Sequence, residues 1–149
     1  MGLNHDFWLI EKNDFEFKDY REYLQTKPQV QIHDDLMMYM NDTLLWIPCI
    51  HISGRKKKHT KGLALYGISL ISEEGAGTFA GVMDSWADLF SKAPEKFNLT
   101  GVITFKSGDD YNYRSFEVDR DILVPKLRIL AEHTQKFTNQ DFLILHGGI

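Results

Sequence analysis

Cysteine occurs once in this chain of 149 residues, at Cys49. No disulfide can form within the chain, and nothing requires an oxidising compartment. Long apolar runs are missing as well. No stretch approaches the ~18 consecutive apolar residues expected of a membrane-crossing helix, so no membrane partner is expected. The opening "MGLNHDFWLIEKNDFEF" has no basic region followed by an apolar core, and no Ser or Thr at its sixth position. Neither a secretion signal nor myristoylation is expected, and a cytoplasmic location is the default.

Catalytic signatures are also lacking. There is no H-E-x-x-H, although the chain has six histidines, and no pair of them has the spacing of two ligands on one helical face. There is no G-x-S-x-G for a nucleophilic serine. Neither a metal nor a cofactor is expected. "LISEEGAGTFAGVMDSW", residues 70–86, imitates a nucleotide loop. Its glycines at 75, 77 and 81 are one residue too widely spaced for a dinucleotide fingerprint. Val82-Met83 follows where a phosphate loop needs Lys and then Ser or Thr. Glu73 and Glu74 would repel a phosphate. The segment reads as a connector whose glycines supply positive φ angles.

What is present is ordinary globular material: 43% hydrophobic residues, 26% charged and 13% aromatic. The length suits one domain over residues 1–149. The net charge of −4 conceals an asymmetry. Residues 54–62, "GRKKKHTKG", hold five basic residues and no acid, and the rest of the chain sums to −9. Such an exterior repels nucleic acid and favours basic partners.

Hydrophobic periodicity predicts the order β-α-β-β-β-α-β-β-α-β. "DFWLIEK" reads as a strand and "DYREYLQT" as a short helix that stops before Pro28. "VQIHDDLMMYM" is taken as extended, with Asn41-Asp42 turning the chain. "TLLWIPCIHIS" and "GLALYGISLIS" are expected to form a long hairpin with the basic run at its tip, Pro48 marking an edge or a bulge. Phe79, Val82, Met83, Trp86, Leu89 and Phe90 form one helical stripe, capped by Thr78 and followed by Pro94. "LTGVITF" and "YNYRSFEVD" predict a second hairpin around "KSGDD". A helix then follows, with Asp119 or Asp121 as cap, Leu123, Leu127, Leu130 and Ala131 on its buried side, and Pro125 tolerated near the first turn. "DFLILHGGI" closes the chain as a strand. The fold class is α+β, an antiparallel or mixed sheet built from hairpins with two main helices mostly on one face.

For function, the hairpin turn offers Asp109 and Asp110 beside Tyr111 and Tyr113: charge-assisted contacts for Lys or Arg next to large amphipathic rings. With Glu73 and Glu74 these are the expected partner-binding residues. A rival reading is a small enzyme or ligand-binding domain whose site is assembled from His33, Asp34, Cys49 and His51. Cys49 itself lies in an apolar run and is expected to be buried as a small hydrophobe. A third reading uses the basic run Arg55 to Lys61 on nucleic acid phosphates, although no aromatic interleaves it for base stacking. The tail, His146-Gly147-Gly148-Ile149, has no assigned role.

A small, acidic α+β chain rich in Trp and Tyr and without a catalytic signature resembles the bacterial immunity proteins of polymorphic and contact-dependent toxin systems. The resemblance covers the whole chain in size, charge and architecture. It implies a non-catalytic inhibitor that binds a basic, nuclease-like toxin stoichiometrically and covers its active site or a nearby surface.

Overall fold

The computed structural model describes residues 3–11, 15, 20–136 and 142–149. The elements are β1 (Asn4–Glu11), α1 (Tyr20–Leu24), β2 (Val30–His33), α2 (Asp34–Tyr39), α3 (Asn41–Leu44), β3 (Pro48–Ser53), β4 (Lys56–Lys61), β5 (Ile68–Ile71), α4 (Glu73–Phe90), β6 (Lys96–Ser107), β7 (Asp110–Asp119), α5 (Arg120–Lys136) and β8 (Phe142–Gly147). Lys12, Asp19 and Asp141, at the ends of expected elements, lie outside the described residues. The fold is α+β. Six strands form one sheet in the order β2-β1-β8-β5-β3-β4, and β6 and β7 form a separate two-stranded sheet. Every pairing is antiparallel.

Alternation along the central strands sorts their side chains between two cores. Phe7, Ile144, Ile71 and Cys49 face α4 and α5, where Phe79, Met83, Leu127 and Leu130 are fully buried. Trp8, Ile10, Leu70, Leu143 and Leu145 face the other way and are covered by Phe15 and by Tyr20, Tyr23 and Leu24 from α1. The inner strands are therefore buried on both faces, which is why "LIL" reads as an unbroken apolar run and "ISLI" is interrupted only by the buried Ser69. The two main helices share one face, as expected. Arg128 clamps them together, donating from Nη1 to Asp84 at 3.0 Å and from Nη2 to Asp88.

Several local expectations are corrected. "VQIHDDLMMYM" is extended only to His33; its Nδ1 accepts the Asp35 N–H and starts α2. Thr43 and Leu44 are helical, so β3 begins at Pro48, a first-residue position that costs no ladder bond. "GLALYGISLIS" is a strand only over Ile68–Ile71. The basic run is not a tip. The chain turns at Gly54 (φ 60°), and residues 56–61 pair along the whole of β3 as an edge strand.

The glycine segment is not a connector either. Residues 75, 77 and 81 lie inside α4, which starts at Glu73 after Ser72 rather than at Thr78, and none of them has positive φ. Gly75 is there for close approach: a Cβ on it would stand 1.9 Å from the Pro48 carbonyl oxygen. Leu89, expected on the buried stripe, is 60% exposed. Asp119 caps α5 by accepting the N–H groups of Asp121 and Ile122. Pro125 falls in the second turn, not the first, on the solvent side where a missing N–H is cheapest.

Candidate functional site

The most distinctive surface is the β6–β7 hairpin. Its base is anchored: Phe97, Leu99 and Phe116 pack on the main core, and Phe90 stacks on Phe97 at 5.8 Å. Beyond the base it touches little, and residues 102–115 are all exposed. Those residues make an arm extending roughly 20 Å at the usual rise per strand residue.

A β-bulge decides what the arm displays. Up to Thr100, opposite Ser115, the register keeps Leu99 and Phe116 on the core side. It then shifts, and Ile103 comes to lie opposite Tyr113 and Phe105 opposite Tyr111. Because β-strand side chains alternate, that one-residue shift moves Ile103 and Phe105 onto the outer face with both tyrosines. Without it they would share the face of Leu99. Gly101 makes the bulge possible, since a Cβ there would meet the Arg114 carbonyl oxygen at 2.9 Å. The result is a ladder of four large side chains, exposed by 43–79%. Asp109 and Asp110 cap it at the turn, where Gly108 adopts φ 66°.

At the arm's base lies a groove of ≈ 480 Å³ between β7, α5 and β2. Ile32, Leu36, Phe116 and Leu123 form part of its lining, with His33, Asp35, Arg114 and Lys126 among the polar residues. Arg114 comes within 3.5 Å of Asp35, and Lys126 Nζ donates to the Gln31 carbonyl at 2.9 Å.

The sequence-predicted partner residues are thus divided. Asp109, Asp110, Tyr111 and Tyr113 come together on the arm. Glu73 and Glu74 do not join them: they form the first turn of α4, where the helix dipole favours acids. Phe90, which meets the arm's base, is at the other end of this 18-residue helix, about 27 Å away. Phe105 and Ile103 were missed, because a hydrophobic alternation in sequence does not reveal that a bulge turns it outward.

The rival set, His33, Asp34, Cys49 and His51, is brought together only in part. His33 is the exposed cap of α2. Cys49 Sγ and His51 Nε2 both donate to the Gly62 carbonyl, at 2.9 and 2.7 Å. Burial pushes the Cys49 thiol up to about 11, so it is no nucleophile at neutral pH.

Asp34 joins a different and buried chain. His5 Nε2 lies 2.9 Å from Asp34 Oδ1, and His5 Nδ1 lies 2.8 Å from His146 Nε2. With Asp34 ionised and both imidazoles neutral, His5 donates to the carboxylate and His146 donates to His5. His146 Nδ1 is then a bare acceptor, and it has no hydrogen-bond partner among the described residues. Burial first, then the neighbouring His5 and His51, lowers the His146 pKa to about 3. Both imidazoles have 0% exposure, so a substrate has no access to them. No local signal could have found this chain, whose two histidines are 141 positions apart. The tail that follows His146 is itself held in place. Gly148 and Ile149 donate to the Gly67 and Leu65 carbonyls, and a Cβ on Gly148 would stand 2.3 Å from the Leu65 oxygen.

Among the described residues, no group of three or more His, Cys, Asp or Glu could hold a metal ion, and no helix is long and apolar enough to cross a membrane. The chain matches no protein-family model, no curated protein and no solved structure.

Proposed function

We propose that this protein is a non-catalytic binding module that grips a protein partner with the β6–β7 arm. The single observation that carries this reading is the exposed ladder of Ile103, Phe105, Tyr111 and Tyr113, projected outward by a bulge. A two-stranded hairpin is marginally stable by itself in water. An arm that presents aromatic side chains to solvent gains from a surface that covers them. Tyrosine and phenylalanine there supply contact area at low entropic cost, as residues that dominate binding energy do.

The finer reading is that of an immunity protein neutralising a basic, nuclease-like toxin domain. Two features support it. Asp109 and Asp110 stand beside Tyr111 at the arm's end, and the chain outside residues 54–62 carries −9. Acidic charge around an aromatic anchor accelerates encounter with a basic surface, while the desolvated rings set the rate of release.

The test is co-expression with the product of each neighbouring gene, the expected partner being a basic toxin domain, together with titration of the purified pair. The expected result is protection of the cell and a Kd of nanomolar order. Replacing Phe105, Tyr111 and Tyr113 together by Ser should abolish both while leaving the thermal unfolding midpoint within a few degrees. Protection by the triple variant equal to that of the wild type would sink the arm as the binding element.

A further inference from the structure

We infer that β4 is a second docking site, which accepts an acidic, extended peptide segment of another protein as a seventh strand of the main sheet. Among the described residues, β4 ends the strand order and is paired with β3 on one side only. Every second residue of such a strand turns its N–H and C=O outward. The strand is also the most basic part of the chain. Arg55, Lys56, Lys57, Lys58 and Lys61 lie on or beside it, all exposed. Among the described residues, Arg55, Lys56, Lys58 and Lys61 make no ion pair.

The register fixes where those charges point. Lys56 and Lys58 are opposite Ser53 and His51, on the side of α4, whereas Lys57 and Lys61 are opposite Ile52 and Pro48, on the side of α1. Positive side chains therefore flank an incoming strand on both of its faces. An added strand places its side chains opposite these at ~5 Å, close enough for opposite charges to stabilise the pairing and like charges to oppose it. A second copy of β4 is excluded by its own lysines. A segment with Asp or Glu at consecutive positions satisfies both faces at once, and its main chain supplies the ladder bonds. The two-sided lysines offer no single flat basic face for a nucleic acid backbone, and no aromatic interleaves them for stacking. β4 also lies at the opposite end of the sheet from β2, whose residues line the groove at the arm's base. Five strand spacings separate the edges, roughly 24 Å. The site is independent of the arm.

The experiment is fluorescence anisotropy of the full chain with a labelled ten-residue peptide that carries consecutive glutamates among β-branched residues. Two further probes are used: a peptide of equal charge with two consecutive central prolines, one of which must fall where an N–H faces β4, and a single-stranded oligodeoxythymidine. The acidic peptide is expected to bind, and to bind at least ~5-fold more weakly when salt rises from about 50 to about 300 mM. Lys56→Glu with Lys58→Glu should weaken it at least ~10-fold, with circular dichroism confirming the fold. The proline peptide should bind at least ~10-fold more weakly than the acidic one, because it cannot complete the ladder. Phe105→Ser should leave the affinity unchanged, which separates this site from the arm. Equal binding of both peptides would reduce β4 to a mere charge cluster. Tighter binding of the oligonucleotide, or no binding of the acidic peptide, would equally overturn the proposal.

Discussion

Two hairpins in this molecule start from the same local chemistry and end differently. β3–β4 turns through Gly54 and β6–β7 through Gly108, both with φ near +60°. β3 continues into β5 and through it into the six-stranded sheet, and α4 presses on it at Gly75. Among the described residues, β6 and β7 have no third strand. The hairpin built into the sheet puts lysines on its open edge, and the one anchored only at its base puts aromatic rings on its open face. Charge at the first discourages indiscriminate strand pairing. The apolar ladder of the second leaves surface uncovered, the pattern expected where a partner completes the structure.

If that contrast is right, damage at the anchor of β3 is global and damage on the arm is local. The largest effect is expected from Gly75→Ala, which drives a methyl group into the Pro48 carbonyl and should cost about 3 kcal/mol in urea unfolding. Gly101→Ala meets the Arg114 carbonyl in the arm. It should disturb the bulge and partner binding with little change in global stability. A comparable global cost from Gly101→Ala would place the arm inside the cooperative core.

A second effect belongs to the sheet alone. His146 is held neutral, with its pKa near 3, whereas an unfolded histidine takes a proton near 6.5. Because the folded value is the lower one, stability is complete above pH 6.5 and declines as pH falls from there towards 3. At pH 5 the loss should be about 2 kcal/mol, read from the urea midpoint, and His146→Gln should flatten the dependence. A midpoint unchanged between pH 7 and pH 5 would show that the chain from Asp34 to His146 accommodates the proton without cost.

The smallest effect is expected on the arm. Phe105 is 79% exposed, so Phe105→Ser should change stability by no more than about 0.5 kcal/mol in thermal melts. A loss several times larger would mean that the ring packs against the body of the protein.

Much of the architecture is legible in the residues. The stripe from Phe79 to Phe90 and the row of Leu123, Leu127 and Leu130 mark α4 and α5, since a 3.6-residue period survives any tertiary arrangement. "KSGDD" marks the arm's turn for a similar reason, as positive φ at Gly108 is a local demand. The failures are at short segments of divided preference. "DDLMMYM" became helical where the His33 ring caps it, and the glycines at 75, 77 and 81 lie inside α4, Gly75 leaving room for the close approach of β3.

What the sequence determined alone was the α+β class, the two long helices, the turn of the β6–β7 hairpin and the burial of Cys49, because each depends on periodicity, a glycine or an apolar neighbourhood within a few residues. The tertiary structure decided which strand became an edge, which face of the arm turned outward, and which histidines met. Those outcomes depend on pairing between segments up to 141 positions apart, and a one-residue shift of register reverses every side chain beyond it.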